Sequence, residues 1–512
     1  MAMRIPLRAV TMLLLALCML TGLSGLMAGD IFVSPTGSNS NPGTIDQPVQ
    51  TIAKALSLAG PGDTVQIRQG AYREHDLAPP SGVAGLPVTI KAYNQEDVLL
   101  DGEFATYSYA AFGTTGGQYV TFEDLEVNGY RDRAFIFWDS SHITVRGCYI
   151  HHCGTLRTGS TGDGISMKGS HYLIEDNLVT SNCPDTIYGG SGIGIWMGSD
   201  SVIRNNTCLH NRGNGILVED SHDVTVYGNV CRFNHGDFGT WFCGGIWVDG
   251  GWNITVHHNW FEGNEGAGME ISDIEPSDPY GYVFYNNVCA GNYYGMVIAG
   301  IGRLGEGENE IYCNTCVDNT DYGIVIVGAY QGHNPPSALC RLRLLNNIAY
   351  QGDAVPALYV YNNAGADNVL DYNLVYSASG QPVVYNDTSL SFAEYQQASG
   401  WETHGLSMDP LLRDPQAMDF HLAIGSPCFN RGQADYLPAT DYDDVPRTGP
   451  PDLGAYEYQA YAADLNGDCR VSAHDLGILL FYWQQSGPAD INGDGTVDNQ
   501  DLVLLLGAWG RE

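Results

Sequence analysis

Apolar and polar positions repeat in a fixed order through the middle of the chain, and each copy carries asparagine at the same two places. The copies read IEDNLVTSN, IRNNTCLHN, VYGNVCRFN, VHHNWFEGN, FYNNVCAGN and IYCNTCVDN. The first column comprises Asn177, Asn206, Asn229, Asn259, Asn287, Asn314, Asn347 and Asn373, with Cys148 in its place one copy earlier. The second column, five residues later, comprises Asn182, Asn211, Asn234, Asn264, Asn292 and Asn319. Copies 23 to 33 residues apart indicate a solenoid.

A glycine opens a second repeated segment, in which apolar residues alternate with variable ones. These glycines are Gly164, Gly194, Gly215, Gly245, Gly268, Gly295 and Gly323. Strict alternation predicts a strand whose apolar residues point inward and whose intervening residues point outward. The outward positions two residues after the glycine include Trp196, Trp247 and Glu270. The outward positions four residues after it include Lys168, Glu219 and Asp249.

These two periods predict an all-β main domain folded as a parallel β-helix. A single coil cannot bury its own apolar side, so neighbouring coils do so by stacking about 4.8 Å apart. Asparagine suits a recurring bend, because it tolerates left-handed backbone and its amide can stack on the copies above and below. A leucine-rich repeat would need a leucine spacing that the chain lacks, and a sandwich would not keep asparagine in register through eight copies.

Both ends of a solenoid need covers, and the terminal segments carry a family resemblance. Residues 51–59 predict a short amphipathic helix over the first coil. IFVSPTGSNSNPGT and AGPGDTVQIRQGAYRE resemble the opening of the pectate-lyase-like right-handed β-helix superfamily, and FHLAIGSPCFNRG and PDLGAYEY resemble its closing segment. The resemblance implies a β-helix over residues 30–458, with a cap and first coils over 30–118, regular coils over 119–380 and a closing segment over 381–458. It implies a fold rather than a reaction, because this superfamily includes lyases, hydrolases, epimerases and non-enzymes.

Residues 1–28 predict a secretory signal peptide. Arg4 and Arg8 precede an apolar run over residues 10–20, and Ala28 is a suitable last residue before cleavage. The run is shorter than the about 20 residues that a membrane span needs. We therefore expect a secreted, extracellular protein without a membrane span.

Charge limits the class of molecule that the protein binds, and the cysteine content bears on disulfide bonds. The chain has 58 acidic and 22 basic residues, a net charge of −36, which repels nucleic acid and favours neutral sugars as substrates. Thirteen cysteines would allow disulfides outside the cell. Cysteines two residues after the column asparagines are predicted to be buried in the core. Cys153, Cys183 and Cys243 are predicted to lie in loops and are the candidates for disulfides.

Residues 462–512 carry two twelve-residue loops that predict calcium binding. They read DLNGDCRVSAHD over 464–475 and DINGDGTVDNQD over 490–501. Oxygen donors fall at positions 1, 3, 5, 9 and 12, with a backbone carbonyl at position 7, a donor set that Ca²⁺ prefers. The predicted ligands of the first loop are Asp464, Asn466, Asp468, Arg470 (through its carbonyl), Ser472 and Asp475. Those of the second loop are Asp490, Asn492, Asp494, Thr496 (through its carbonyl), Asp498 and Asp501.

The two loops, each followed by an apolar helix, resemble a type I dockerin, a small all-α domain. The resemblance implies two bound Ca²⁺ ions, calcium-dependent folding and binding to a cohesin domain on a scaffold or cell surface. Its partner-selecting positions correspond to residues 473–474 and 499–500, which differ between the two repeats. Cys469 replaces the usual glycine of the first loop. A calcium-stabilised module without a partner is the alternative.

Outward carboxylates on neighbouring coils are the candidate chemistry of the β-helix. Glu219 and Asp249 share a column, and Glu270 lies one coil further and two residues across, roughly 8 Å from Asp249 between backbones. Hydrolysis of a glycosidic bond requires two carboxyl groups about 5–9.5 Å apart. Because Glu219 and Asp249 stack on adjacent coils about 5 Å apart, we expect the pKa of one of these two carboxyls to be raised.

Aromatic residues surround this patch in the predicted surface map. Trp196 and Trp247 are platforms for sugar rings. Three insertions, 153–163, 183–193 and 235–244, are predicted to stack as one wall of a cleft, and they add Tyr188 and Trp241 as sugar contacts.

The stretch GGIWVDGGWNITVHHNWFEGNEGAGMEIS resembles β-helix glycoside hydrolases of the xylosidase kind. That resemblance implies that Asp249 is the nucleophile and Glu270 the acid/base. The sequence therefore predicts a secreted glycoside hydrolase that acts on a plant- or algal-type polysaccharide and is attached to a scaffold by its dockerin.

Two alternatives remain open at this stage. A polysaccharide lyase would cleave a uronate-containing glycan by β-elimination with a basic residue, and Lys168 is the only lysine after residue 91, with Asp163 and Arg157 nearby. A non-catalytic carbohydrate-binding or adhesion solenoid would use the tryptophans without the carboxylates. The sequence assigns no cofactor to the β-helix.

Overall fold

The computed structural model of the protein describes residues 28–509, apart from 155–161, 184–189, 236–243, 273–279, 302–306, 329–340, 362–366, 448, 459–462 and 467–470. The predicted signal peptide lies outside these residues except for Ala28. No helix within the described residues is long and apolar enough to cross a membrane. The chain forms two compact units, a first part that ends at Gly213 and a second part that begins at Asn214.

The first part is a parallel β-helix whose strands belong to two sheets. Strands of the larger sheet are Asp30–Val33, Thr64–Ile67, Val88–Ala92, Ala110–Thr115, Gln118–Glu123, Arg133–Arg146, Ile165–Ser170, Leu173–Glu175, Ile193–Trp196 and Ser199–Arg204. Strands of the smaller sheet are Gly70–Tyr72, Val98–Asp101, Glu126–Asn128, Tyr149–His151, Leu178–Thr180 and Thr207–Leu209. A 3₁₀ turn covers Tyr93–Gln95. Each strand pairs in parallel with the equivalent strand of the next coil, which confirms the predicted fold.

A short helix lies at the start of the first part, as the sequence predicts. Helix α1 covers Ile52–Leu56, and the Thr51 hydroxyl accepts a hydrogen bond from the Lys54 amide at its N-terminus. Glu74 adds a second cap, because its carboxylate accepts the amides of Ile52 and Ala53 at 2.7 and 2.8 Å. The helix is shorter than the predicted 51–59, since Ser57 already ends it.

The second part continues the same architecture and adds a closing segment. Strands of the larger sheet are Ile216–Glu219, His222–Tyr227, Ile246–Asp249, Trp252–His257, Ala267–Ser272, Val283–Tyr285, Tyr294–Ala299, Asn309–Tyr312, Tyr322–Val327, Leu342–Leu345, Leu358–Tyr361, Val369–Asp371, Val383–Tyr385 and Thr388–Leu390. Strands of the smaller sheet are Val230–Arg232, Trp260–Glu262, Val288–Ala290, Thr315–Val317, Ile348–Gln351 and Leu374–Ser377. Helix α2 (Phe392–Ser399), the hairpin Leu412–Asp414 with Asp419–Leu422, and the 3₁₀ turn Pro415–Ala417 follow.

The asparagine columns form buried hydrogen-bonded ladders. In the second part, Asn259 donates from its backbone and side-chain nitrogens to the side-chain oxygen of Asn287, at 3.1 and 2.9 Å. The same pair of bonds recurs down the column to Asn373. Each side-chain nitrogen also donates to a carbonyl of the previous coil, such as that of Val226. Every polar atom of these amides is therefore satisfied without water.

Left-handed backbone occurs one residue before the ladder asparagine. Asn205, His258, Asn286, Cys313 and Tyr372 all have φ between 50° and 58°. The residue types at this place vary, so the asparagine column is selected by its hydrogen bonds and not by the bend itself. The sequence predicted left-handed backbone at the asparagine itself, whereas the structure has it at the residue before the asparagine.

The cysteines of the described residues are free thiols in the interior. Cys289 pairs in register with Cys316 on the next coil, as predicted for core positions. Cys153 is different from the prediction, because it occupies the second ladder column and its amide donates to the Asn182 side chain at 3.1 Å. Cys183 is also fully buried and unbridged. Cys243 lies outside the described residues.

The C-terminal residues form a small helical module with its own core. Helices α3 (Ala473–Phe481) and α4 (Asn499–Gly507) each begin at a capping box. Val471, Leu479, Val497 and Leu505 are buried between them. The predicted boundary with the β-helix falls at residues 459–462, outside the described residues.

The Asn259 ladder position is a direct test of what holds the coils together. We expect Asn259→Ala to lower the free energy of unfolding by about 3 kcal/mol, because the Asn229 nitrogens and the Val226 carbonyl lose their buried partners. Urea denaturation followed by tryptophan fluorescence measures the change. Asn128→Ala is the control, since its half-buried amide makes a single 3.4 Å bond to Asp101. Equal effects of both variants would contradict the ladder's importance.

Glu402 ends the first ladder and makes its stability depend on pH. Its carboxyl accepts both Asn373 nitrogens, at 3.1 and 2.6 Å, and burial raises its pKa from 4.5 to about 8. Because the folded-state pKa is the higher one, this stabilisation is complete below pH 4.5 and is lost as the pH rises through about 8. We expect Glu402→Gln to unfold at the same temperature as the wild type near pH 4.5 and at a higher one near pH 8. A constant difference across this range of pH would contradict the assignment.

Candidate active site

The predicted carboxylates lie on three successive strands of the second part. Glu219 pairs in register with Asp249, and Asp249 with Ser272. Trp247 pairs with Glu270 in the neighbouring outward column. The structure therefore brings Trp247, Asp249 and Glu270 together on one face, as the sequence predicts. Asp249 and Glu270 are diagonal neighbours, with backbones roughly 8 Å apart from strand spacing and rise.

Glu270 is outward-facing and nevertheless buried. Its side chain lies between Trp247 and Val297 of the adjacent strands, and only 1% of the residue is exposed. The next outward residues, Val297 and Val325, are also buried. The polar patch therefore ends at Glu270, against an apolar surface that deprives the carboxyl of water.

Hydrogen bonds hold one oxygen of this carboxyl. The Trp247 indole donates to the Ser272 hydroxyl at 2.9 Å, and that hydroxyl donates to Glu270 Oε1 at 3.2 Å. Glu270 Oε2 has no hydrogen-bond partner among the described residues. One oxygen of this buried carboxyl is therefore held by the protein, and the other is not.

The pKa of Glu270 follows from this environment. Burial raises the pKa well above its ordinary value of 4.5, the neighbouring Asp249 carboxylate raises it further, and the Ser272 hydrogen bond lowers it. Burial and the Asp249 charge thus both favour the protonated form of Glu270, and a second carboxyl stands beside it. This is the arrangement by which a protein keeps an acid and a base in one site.

A second group of polar residues lines a pocket of about 260 Å³ in the first part. Its lining comprises Arg133, Trp138, Ser166, Lys168 and Trp196. Lys168 pairs in register with Trp138. Arg133 is buried beside two carboxylates, with Nη1 at 2.6 Å from Asp132 and Nε at 3.6 Å from Asp163.

Trp196 occupies a different column from the predicted one. Ser166 pairs with Gly194, and Ile165 with Ile193, so Gly192 and not Gly194 is the equivalent of Gly164. Trp196 therefore lies four residues after its own repeat glycine, Gly192, and shares the outward column of Lys168. The segment GGSGIGIW permits both alignments, because a slip of two residues leaves every side chain on the same face.

Other predicted contacts cannot be placed. Tyr188, Trp241 and Arg157 lie outside the described residues, as does most of each of the three insertions.

Ser272, whose hydroxyl contacts Glu270, is the residue of this patch that the sequence did not single out. Its signal was its position four residues after Gly268, in the column of Asp249.

The loops of the C-terminal module have equivalent local structures. Asp475 accepts the amides of Leu465 and Asn466 at 2.8 and 3.2 Å. Asp501 accepts those of Ile491 and Asn492 at 2.7 and 3.0 Å. Both twelfth-position aspartates are fully buried and close their loops.

Oxygen atoms dominate the donor set of these loops. Asp490 also accepts the Gly493 and Gly495 amides. Among the described residues, no three acidic, histidine or cysteine side chains converge at metal-binding distance. Asp468 and Arg470, two of the predicted first-loop ligands, lie outside the described residues. The predicted donors of the second loop include Asn492 and the Thr496 carbonyl, and oxygen donors of this kind suit a hard cation in chemistry.

Comparison with known proteins shows the fold and its sequence relatives. Residues 31–156 match the family model for the Pel9A-like right-handed β-helix region, and residues 110–276 match the model for right-handed β-helix regions. The chain is 27% identical over 448 residues to YwoF of Bacillus subtilis (strain 168), covering 78% of this chain and 92% of that protein. It is 25% identical over 448 residues to pectate lyase L of Dickeya chrysanthemi, covering 83% and 90%. A match at 41% identity to pectate lyase PEL9 of Emericella nidulans spans 80 residues, 15% of this chain and 20% of that protein.

Two solved structures share the fold along most of the chain. XylC in complex with xylose superposes with a TM-score of 0.57 at 13% identity, covering 84% of this chain and 98% of that one. Pectate lyase Pel9A superposes with a TM-score of 0.53 at 18% identity, covering 85% and 98%. The protein is therefore a right-handed parallel β-helix related in sequence to pectate lyases.

Proposed function

We propose that the protein is an exported carbohydrate-active enzyme that hydrolyses glycosidic bonds through Glu270 and Asp249. The observation that carries this proposal is the buried Glu270 carboxyl, whose pKa burial and Asp249 raise well above 4.5. The backbones of these two residues are roughly 8 Å apart, and glycoside hydrolysis uses two carboxyl groups about 5–9.5 Å apart. Trp247, which pairs with Glu270, supplies an aromatic surface for a sugar ring.

Each carboxyl has a defined role in this reaction. Glu270 donates its proton to the glycosidic oxygen as the bond to the sugar carbon breaks. Asp249 then acts on the opposite side of the sugar, either by attacking that carbon or by activating a water molecule that attacks it. Glu219 is the register partner of Asp249 on the preceding strand, and its carboxylate adds negative charge next to Asp249. The polymer is of the plant or algal type, and the net charge of −36 favours a neutral one.

Substitution of the two carboxyls tests the hydrolase proposal. We expect Glu270→Gln and Asp249→Asn each to lower the release of reducing ends by 10²–10⁴-fold, because each removes one half of the acid–base pair. Xylan, arabinan and galactan are the substrates for this assay. Glu262→Gln is the control, since Glu262 lies on the smaller sheet and pairs with Arg232. Full activity of Asp249→Asn, or binding without turnover by the wild type, would contradict the proposal.

A polysaccharide lyase that acts at the first-part pocket is the second candidate. The pectate lyase relatives and the position of Lys168 beside Trp138 and Arg133 favour it. In this reaction the Lys168 amine removes the proton next to a uronate carboxylate, and the glycosidic C–O bond breaks to leave a double bond.

The ultraviolet absorbance of an unsaturated product from polygalacturonate distinguishes the two reactions. We expect Lys168→Met to abolish any such product while Glu270→Gln leaves it unchanged. Reducing ends without ultraviolet absorbance would exclude the lyase for that substrate.

We further propose that residues 462–512 form a dockerin that binds two Ca²⁺ ions and a cohesin domain. The capped loops and their oxygen donors support calcium binding. The helices also expose apolar side chains, namely Leu480, Phe481, Val503, Leu504 and Leu506. Exposed apolar residues on both helices suit a protein partner.

Calcium removal tests this module in the full-length protein. We expect a chelator to lower the melting temperature of one calorimetric transition, because metal binding contributes to folding. Added Ca²⁺ should restore it, and added Mg²⁺ should not, since Mg²⁺ demands a stricter octahedral geometry. Asp494→Ala should weaken the restoration. A transition that is insensitive to chelator would contradict calcium binding.

A further inference from the structure

Ser272 connects the Trp247 indole to the Glu270 carboxyl. It is fully buried, and its Oγ lies 2.9 Å from Trp247 Nε1 and 3.2 Å from Glu270 Oε1. These are its side-chain hydrogen bonds within the described part of the chain. Its strand position is the register partner of Asp249, so it belongs to the same small site.

The chemistry of these groups orders the hydrogen atoms. An indole N–H can only donate, so Ser272 Oγ must accept from Trp247. The serine hydroxyl then turns its own hydrogen to the other neighbour, Glu270 Oε1. In the protonated form of Glu270, the oxygen that accepts this bond is the carbonyl-like one. The same hydrogen bond therefore favours Oε2 as the oxygen that carries the acidic hydrogen when Glu270 is protonated.

Oε2 is also the oxygen without a hydrogen-bond partner among the described residues. An acid that must protonate a glycosidic oxygen needs its proton on an oxygen that makes no hydrogen bond within the protein. Oε2 meets this condition among the described residues, although surrounding protein atoms bury it.

We propose that Ser272 is a positioning residue that, held by Trp247, fixes the Glu270 proton on Oε2 for delivery to the leaving group. This inference rests on the proposed hydrolase function and adds a residue that acts through Glu270. Trp247 thereby has two roles, since its ring faces the sugar site while its N–H orients the serine.

Few described groups compete with Ser272 for control of Glu270. Asp249 on the preceding strand is the neighbouring charge, and Glu219 lies one strand beyond it. The following strand presents the apolar Val297. The Ser272 bond is thus the contact that favours the ionised form of Glu270, against burial and Asp249.

The dependence of kcat/KM on pH tests this role, with xylan as the first substrate. We expect Ser272→Ala to lower kcat/KM about tenfold and to move the alkaline limb of the profile up by about one pH unit, because the ionised acid loses a hydrogen bond. Trp247→Phe keeps the serine donor and should move the limb by less than half of that amount. Ser272→Thr retains the hydroxyl and should restore the wild-type limb.

A substrate-independent measurement separates this inference from the proposed function. The infrared band of the protonated Glu270 carboxyl, identified by its absence from Glu270→Gln, should titrate at higher pH in Ser272→Ala than in the wild type. Ser377→Ala is the matched control, since this buried serine bonds to Ser379 and the Asp353 carbonyl. A slower Ser272→Ala with an unchanged titration would overturn the positioning role. If the wild type is inactive and the carboxyl of Ser272→Ala still titrates at higher pH than that of the wild type, the hydrolase function is overturned and the hydrogen-bond assignment is retained.

Discussion

The buried amide ladders are the interaction on which the β-helix depends. A solenoid coil turns sharply, and each turn would leave backbone nitrogens and carbonyls in the interior without partners. The asparagine of each coil accepts the backbone and side-chain nitrogens of the preceding asparagine and donates to a carbonyl of that same preceding coil, as Asn287 does with Asn259 and Val256. Its side-chain nitrogen also donates to the asparagine of the following coil, here Asn314. Since each bond joins successive coils, the ladder fixes the stacking register as well as the bend. Glu402 takes the place of the next amide at its end.

A fixed register converts separated residues into a chemical site. Trp247, Asp249, Glu270 and Ser272 come from two adjacent strands, and the in-register pairing places them as nearest neighbours. The acidity of Glu270 arises from what surrounds it, because an exposed carboxyl at the same position would keep its ordinary pKa. Burial by the adjacent apolar column and the charge of Asp249 oppose ionisation, and the Ser272 hydroxyl partly offsets them. The site thus combines a rigid support with a carboxyl whose surroundings favour its neutral form.

The first part contains a separate pocket lined by Arg133 and Lys168, and this pocket is the site of the lyase candidate. Arg133 is compensated by Asp132 and Asp163, so the local charge of this pocket is smaller than its two cations suggest. Lys168 stands beside Trp138 without an ion pair among the described residues. The relationship to pectate lyases is clear in sequence, whereas the acid-containing site in the second part has the more distinctive chemistry.

The sequence by itself determined the fold, the ladder columns and the placement of Glu219, Asp249 and Glu270 on three successive coils, because a solenoid maps sequence period directly onto neighbouring coils. It misplaced Trp196 by two residues, since a period-two pattern is unchanged by that slip, and it assigned Cys153 to a loop although the thiol replaces a ladder asparagine. It also did not single out Ser272, whose identity is ordinary and whose role exists only through its contacts with Trp247 and Glu270. Only the tertiary structure decided which outward carboxyl is buried and which of its oxygens is held. Burial and hydrogen-bond direction depend on atoms from several coils at once, and no single repeat contains that information.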